Sequence, residues 1–174
     1  MFSCEDLYEK YKTLVFNLCL NYLQNQQEAE EATQDIFIKI YLKMPGFQGN
    51  SSLKTWTYRI AINHCLDVLR ARKRQKRISF FFSFLEGKNE SAQDPPDFDH
   101  PGVLLEDREA LEHLFQKINQ LPEKQCTALL LKYMDDLPQR EIAAIMQISE
   151  KAVESLLQRA KQGLDKKLNN PEGF

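Results

Sequence analysis

The stretch Phe47–Arg77 reads FQGNSSLKTWTYRIAINHCLDVLRARKRQKR, and the rest of the chain is organised around it. It opens with a Gly/Asn/Ser loop and becomes an amphipathic helical pattern carrying Trp56 and Tyr58. It ends in six Lys/Arg within eight residues: Arg70, Arg72, Lys73, Arg74, Lys76 and Arg77. Opening a duplex and holding one strand needs these parts in this order. A loop takes up an unstacked base, aromatic faces replace the lost stacking, and cations meet the phosphates. From Lys54 to Arg77 eight Lys/Arg stand against one acid, Asp67. Like charges along a helix repel, and an anionic partner relieves that repulsion. Taken singly, Trp56 reads as a core tryptophan and Asn63 as a surface amide.

Upstream, Leu7, Tyr8, Tyr11, Leu14, Val15, Leu18, Cys19 and Tyr22 form a helical stripe from Glu5 to Tyr22. Asn25–Glu28 reads as a turn. A second helix follows from Gln27 to Met44, with Ala29, Ala32, Ile36, Phe37, Ile40 and Tyr41 on its apolar face. Its other face carries Glu30, Glu31, Gln34, Asp35 and Lys39. Periodicity alone favours an ordinary solvated face there, with partner docking as the alternative. Pro45-Gly46 ends this helix. Ser51 or Ser52 can cap the next, which runs from Leu53 past Leu69.

Downstream, the character changes at Ile78. Phe80, Phe81, Phe82 and Phe84 precede GKNESAQDPPDFDHPG, a segment rich in acid and proline that reads as a linker. Its acidity could occupy a basic channel or simply solubilise a tether. The phenylalanines suit packing on the first domain or another protein. Leu105–Ile118 is helical by pattern, and Leu121-Pro122-Glu123 restarts a helix to about Met134. Then Pro138–Met146, the turn Gln147-Ile148-Ser149 and a longer helix from Glu150 to about Leu168 follow. Two helices so spaced, with Ala143 and Ala144 at the crossing and Ser149 as a cap, have the form of a helix-turn-helix.

Across 174 residues the formal net charge is only −2, so a nucleic-acid surface must be local. Six Gly and seven Pro are few, and favour long helices. Cys4, Cys19, Cys65 and Cys126 are scattered without a CxxC pair, which argues for reduced thiols and against zinc or a disulfide framework. No early apolar run reads as a signal peptide, and no run is long enough to insert in a membrane. No Ser/His/Asp array, Gly-rich phosphate loop or metal-ligand spacing occurs; no cofactor is expected, and His64, His100 and His113 read as isolated.

In this order and spacing the two halves resemble a bacterial RNA polymerase sigma factor of the small extracytoplasmic-function (ECF) group. The resemblance runs from about Leu7 to Leu168, with only the linker outside it. AEEATQDIFIKIY is similar to the family's core-polymerase-binding helix, and FQGNSSLKTWTYRIAINHCLDVLR to its promoter-melting segment. LPEKQCTALLLKYMDDLPQREIAAIMQISEKAVESLLQRAKQGL is similar to its upstream-element module. The implied fold is all-α: two small helical domains (1–77 and 109–170) joined by a flexible acidic linker (78–108), the C-terminal one a helix-turn-helix. The implied function is a cytoplasmic, non-enzymatic subunit that binds core RNA polymerase, directs it to promoter DNA and helps melt it. An anti-sigma factor is the implied regulator.

Residue by residue, the resemblance implies that Glu31, Gln34 and Asp35, with Phe37, dock on the clamp of the polymerase's largest subunit. The loop with Phe47, Gly49, Asn50 and Ser52 would receive a flipped base of the minus-ten element, and Asn63 would help hold it. Lys54, Trp56, Tyr58 and Arg59 would support the melted strand, and Arg70, Arg72, Lys73 and Arg74 would track phosphates. Ser155 and Arg159, with Lys151 and Glu154 beside them, would face the minus-thirty-five element, which Lys132 would also reach. Glu154 departs from the family's usual Lys or Arg; it would repel phosphate but could accept from a cytosine amino group. Cys126 stands where the family often has Arg, and Pro138 where it has a capping serine. A stand-alone helix-turn-helix regulator would explain Pro138–Leu168 but not Phe47–Arg77. A protein–protein adaptor acting through the acidic linker and the Phe80–Phe84 cluster would lose no function on Asn63→Ala.

Overall fold

The computed structural model describes residues 4–85 and 108–169, and every regular element among them is helical. The order is α1 (Cys4–Leu23), α2 (Gln26–Lys43), a single 3-10 turn (Met44–Gly46), α3 (Leu53–Leu85), α4 (Arg108–Asn119), α5 (Glu123–Tyr133), α6 (Gln139–Met146) and α7 (Glu150–Asn169). Packing divides the chain into two compact units. One is Met1–Gly46 with Ile60–His100; the other is Phe47–Arg59 with Pro101–Phe174. Most of the acidic linker and His100 lie outside the described residues, as do the side chains of the Phe80–Phe84 cluster.

In the first unit α1 packs along α2. Val15, Leu18, Cys19, Tyr22, Ala29, Ile36, Ala61 and Cys65 are fully buried at its centre. Burying each of the larger apolar side chains stabilises the fold by about 1.5–3 kcal/mol. Cys19 and Cys65 are free thiols whose sulfurs lie 3.8 Å apart. Asn25 is not in a turn that extends to Glu28, as the sequence suggested, but caps α2: its side chain accepts from the Glu28 N–H at 2.9 Å. This satisfies one of the orphan donors at a helix start. Tyr41, assigned to the apolar face, is 62% exposed.

α3 runs past Leu69 as expected and continues as helix to Leu85, beyond Ile78, where the composition changes. The reason lies in the residues. Arg, Lys and Gln are good helix formers, and no Gly or Pro occurs between Leu53 and Leu85. Each like-charge pair costs only a few tenths of a kcal/mol.

In the second unit α5 and α6 pack on α7, and α4 packs on α5 and α7. Leu130, Leu131, Ile142, Val153 and Ala160 are fully buried. The turn between α6 and α7 pivots on Gln147, whose φ of 56° is left-handed. The Ile148 N–H closes the turn on the Ala143 carbonyl at 3.1 Å. Ser149 caps α7 as expected, accepting from the Ala152 N–H at 3.2 Å. Of the two alanines assigned to the crossing, Ala143 is buried and Ala144 is exposed. Gly163 lets α7 approach Leu121: an added Cβ would stand 3.0 Å from Leu121 Cδ2.

Candidate nucleic-acid and polymerase interfaces

The loop before α3 is built to stand open. Gly49 takes φ +72°, and Gly49, Asn50 and Ser52 are exposed. Gln48 accepts from the Asn50 amide at 3.2 Å. Of the two serines available as a cap, Ser52 serves, accepting from the Thr55 N–H at 3.0 Å. The Phe47 and Trp56 rings lie 5.0 Å apart, tilted at 49°, and both are half-buried. This aromatic pair borders the loop with stacking surface.

Further along α3 the expected strand-contacting residues separate into groups. Asn63 is exposed. Tyr58 is 2% exposed, so in this state it packs and is not offered to bases. Burial, with Asp135 and Glu141 nearby, pushes its hydroxyl pKa well above the usual value. Lys54 pairs with Glu141 at 3.1 Å, and Arg59 donates to the carbonyls of Ala144 (2.6 Å) and Ile145 (3.3 Å). In the basic run, Arg70 pairs with Asp67 at 3.1 Å and Arg72 with Glu28, whereas Lys73, Arg74, Lys76 and Arg77 are exposed.

On α7, Lys151, Glu154, Ser155 and Arg159 are all exposed. Their spacing of three and four residues places them on one helix face. The Ser155 hydroxyl donates to the Lys151 carbonyl at 3.0 Å, so its oxygen lone pairs remain to accept. Lys132 is half-buried, with its ammonium 3.4 Å from the Leu137 carbonyl.

On α2, Glu31, Gln34 and Asp35 form an exposed polar stripe. Phe37 is half-buried and meets Tyr8 of α1 edge-on, with centroids 4.8 Å apart. Sequence reasoning missed two features here. Ile38 (58%), Tyr41 (62%) and Leu42 (69%) are exposed and prolong the stripe; counting seven residues on from Glu31, Gln34 and Asp35 would have found them. His64, read as isolated, lies on Lys39, whose ammonium is 2.6 Å from Nδ1. A lone histidine twenty-five residues from its partner leaves no local signal.

Fold and faces together define a helical protein of two compact units, the second a helix-turn-helix, with an exposed polar stripe on α2. Residues 7–75 match the family described as Sigma-70 region 2, and residues 111–164 match Sigma-70, region 4. The chain is 34% identical to the ECF RNA polymerase sigma factor SigW of Bacillus subtilis, over 95% of this chain and 88% of that one. It is 35% identical to the RNA polymerase sigma-H factor of Pseudomonas aeruginosa, over 91% and 82%. The structure of the sigma factor RpoE in complex with the anti-sigma factor NepR, from Bartonella quintana, shares the fold with a TM-score of 0.64 at 22% identity, over 95% and 96%. The chain belongs to the ECF group of RNA polymerase sigma factors. It binds core RNA polymerase and directs it to promoter DNA.

Proposed function

We propose that the residues grouped above divide the work of initiation, with residues 1–77 binding polymerase and the minus-ten element, 78–108 linking, and 109–170 reading the minus-thirty-five element. Glu31, Gln34 and Asp35 meet cations on the polymerase clamp, and the exposed Ile38, Tyr41 and Leu42 extend that contact with apolar surface. The open loop with Phe47, Gly49, Asn50 and Ser52 receives the flipped base, Trp56 stacks beside it, and Asn63 holds its edge. Unstacking a base costs a few kcal/mol, which this pocket must offset. Lys73, Arg74, Lys76 and Arg77 are exposed and suited to phosphates; Arg70 and Arg72 exchange Asp67 and Glu28 for them. Lys54 and Arg59 join the strand by leaving Glu141 and the α6 carbonyls. Tyr58 acts by packing.

Lys151, Ser155 and Arg159 contact the upstream element, Glu154 tunes its base preference, and Lys132 supports from α5. Neither module binds strongly alone; polymerase sets their spacing and makes the second contact effectively intramolecular. The factor has no catalytic centre of its own and works in the cytoplasm. An anti-sigma protein holds it until needed, as NepR is bound to RpoE in the related structure.

The observation that carries this reading is the exposed loop with left-handed Gly49, bordered by the Phe47–Trp56 pair. A stand-alone regulator of duplex operators has no use for it. The test is transcription by bacterial core polymerase on pooled genomic fragments, with and without this protein. New transcripts sharing two spaced sequence blocks are expected. A stable complex with core that starts no transcript would overturn the proposed promoter-reading roles.

A further inference from the structure

We propose that His64 is a positioning residue for polymerase docking: it draws Lys39 away from Asp35 and so leaves the Asp35 carboxylate to a cation on the polymerase. The inference rests on the reading of Asp35 as a docking group.

Asp35 and Lys39 stand four residues apart on α2, with the acid on the N-terminal side. That is the spacing and order in which helix charge pairs interact best. Lys39 nevertheless turns to α3, where its Nζ lies 2.6 Å from His64 Nδ1. An ammonium has donors and no acceptor. Nδ1 therefore accepts, and the ring proton sits on Nε2. Nε2 lies 3.8 Å from Asp35 Oδ2, too far for a hydrogen bond, and a neutral ring makes no ion pair. The imidazole thus holds the lysine firmly and the aspartate loosely. The Asp35 side chain is 63% exposed.

His64 is suited to this by its own placement. It is 8% exposed, whereas Asn63 beside it is exposed. It lines a groove with Glu31, Asp35 and Arg72. Burial, then the Lys39 ammonium, lower its pKa, while Asp35 and Asp67 oppose that shift; the net direction is down, which keeps the ring an acceptor. Without the imidazole, Lys39 returns to Asp35 and the pair must be broken before docking.

The test is equilibrium binding of the full chain to bacterial core RNA polymerase, with thermal melts in parallel. Asp35→Asn should weaken binding. His64→Leu should weaken it by about threefold or more, since a competing helix pair and a desolvated interface charge are both involved. Adding Lys39→Met to His64→Leu should restore binding to within about twofold, because no lysine remains to occupy Asp35. His64→Gln, whose side-chain oxygen can accept from Lys39, should bind as the unmodified chain does. An unchanged His64→Leu overturns the proposal, and so does a loss that Lys39→Met leaves in place, which would mark a structural role only. If Asp35→Asn binds normally, the docking reading of Asp35 itself fails, and the role of His64 with it.

Discussion

Arg59 donates from Nη2 to the main-chain carbonyl of Ala144 at 2.6 Å, and its Nε reaches the Ile145 carbonyl at 3.3 Å. These carbonyls belong to the last turn of α6, where the helix dipole is negative and the oxygens have no partner within the helix. A guanidinium there caps α6 with charge-assisted bonds. Arg59→Ala should therefore lower stability by ~1–2 kcal/mol, with Arg59→Lys recovering part of it. Denaturation midpoints measure this. On the proposed role of Arg59 the melted strand takes this side chain from α6, so Arg59→Ala should slow open-complex formation as well. A variant of unchanged stability would show that the cap contributes nothing.

Asp135, on the turn after α5, gives a pH signature. Its Oδ2 is buried with no hydrogen-bond partner among the described residues, and burial pushes its pKa up to about 6, with Lys54 opposing. The unfolded chain releases this proton near pH 3.8 and the folded chain near 6. Between those values the folded state holds the extra proton, so this contribution favours folding at low pH and is lost as pH rises through about 6. Asp135→Asn should stabilise the protein at pH 7 by ~1–2 kcal/mol, allowing for partial exposure, and give no gain below pH 4. Melting temperatures of both forms across pH 4–7 decide it; a constant difference would sink the assignment to Asp135.

Helices and their faces were legible because burial repeats along the chain. The α1 stripe is buried at Leu7, Tyr11, Val15, Leu18 and Tyr22 as the spacing predicted, whereas its Tyr8 is 45% exposed. The helix-turn-helix was legible too, because Ser149 is a local cap and Val153, Leu157 and Ala160 repeat at helical spacing. Contacts between distant residues were not legible. Tyr58 lies in a strongly basic amphipathic segment, and only the fold shows it buried near Asp135 and Glu141. The ion pair of Arg72 with Glu28 is another such contact, between residues forty-four apart in the chain. The sequence left the end of α3 open beyond Leu69, because charge composition does not mark it: a helix ends at a residue that cannot continue it, and the basic run has none.

The two DNA-reading roles should separate in mutants. Asn63 and Arg159 are both exposed, one on α3 and one on α7. Arg159→Ala should weaken protection of the upstream element, with a loss of about 1–3 kcal/mol if the contact is a bidentate base contact. Asn63→Ala should leave that protection largely intact and reduce permanganate reactivity of unpaired thymines. Footprinting and permanganate on the same complexes give both readings at once. Equal loss of both signals in both variants would remove the division of labour.

Glu154 makes the last prediction, because its sign is unusual for a DNA-facing helix. It is exposed between Lys151 and Arg159, next to Ser155. Beside a phosphate a carboxylate only repels; beside a cytosine it accepts from the N4 amino group. These alternatives differ in how affinity responds to sequence. If Glu154 reads a base, Glu154→Ala should relax preference at one base pair and leave the other positions unchanged. Glu154→Lys should go further, adding a phosphate contact, steepening the dependence of log K on log salt by about 0.9 and erasing the preference. The measurement is binding of the polymerase complex to promoter duplexes carrying each of the four base pairs at each upstream position, over a range of salt. A uniform gain for Glu154→Ala on every duplex would mean that the carboxylate repels the backbone and reads nothing.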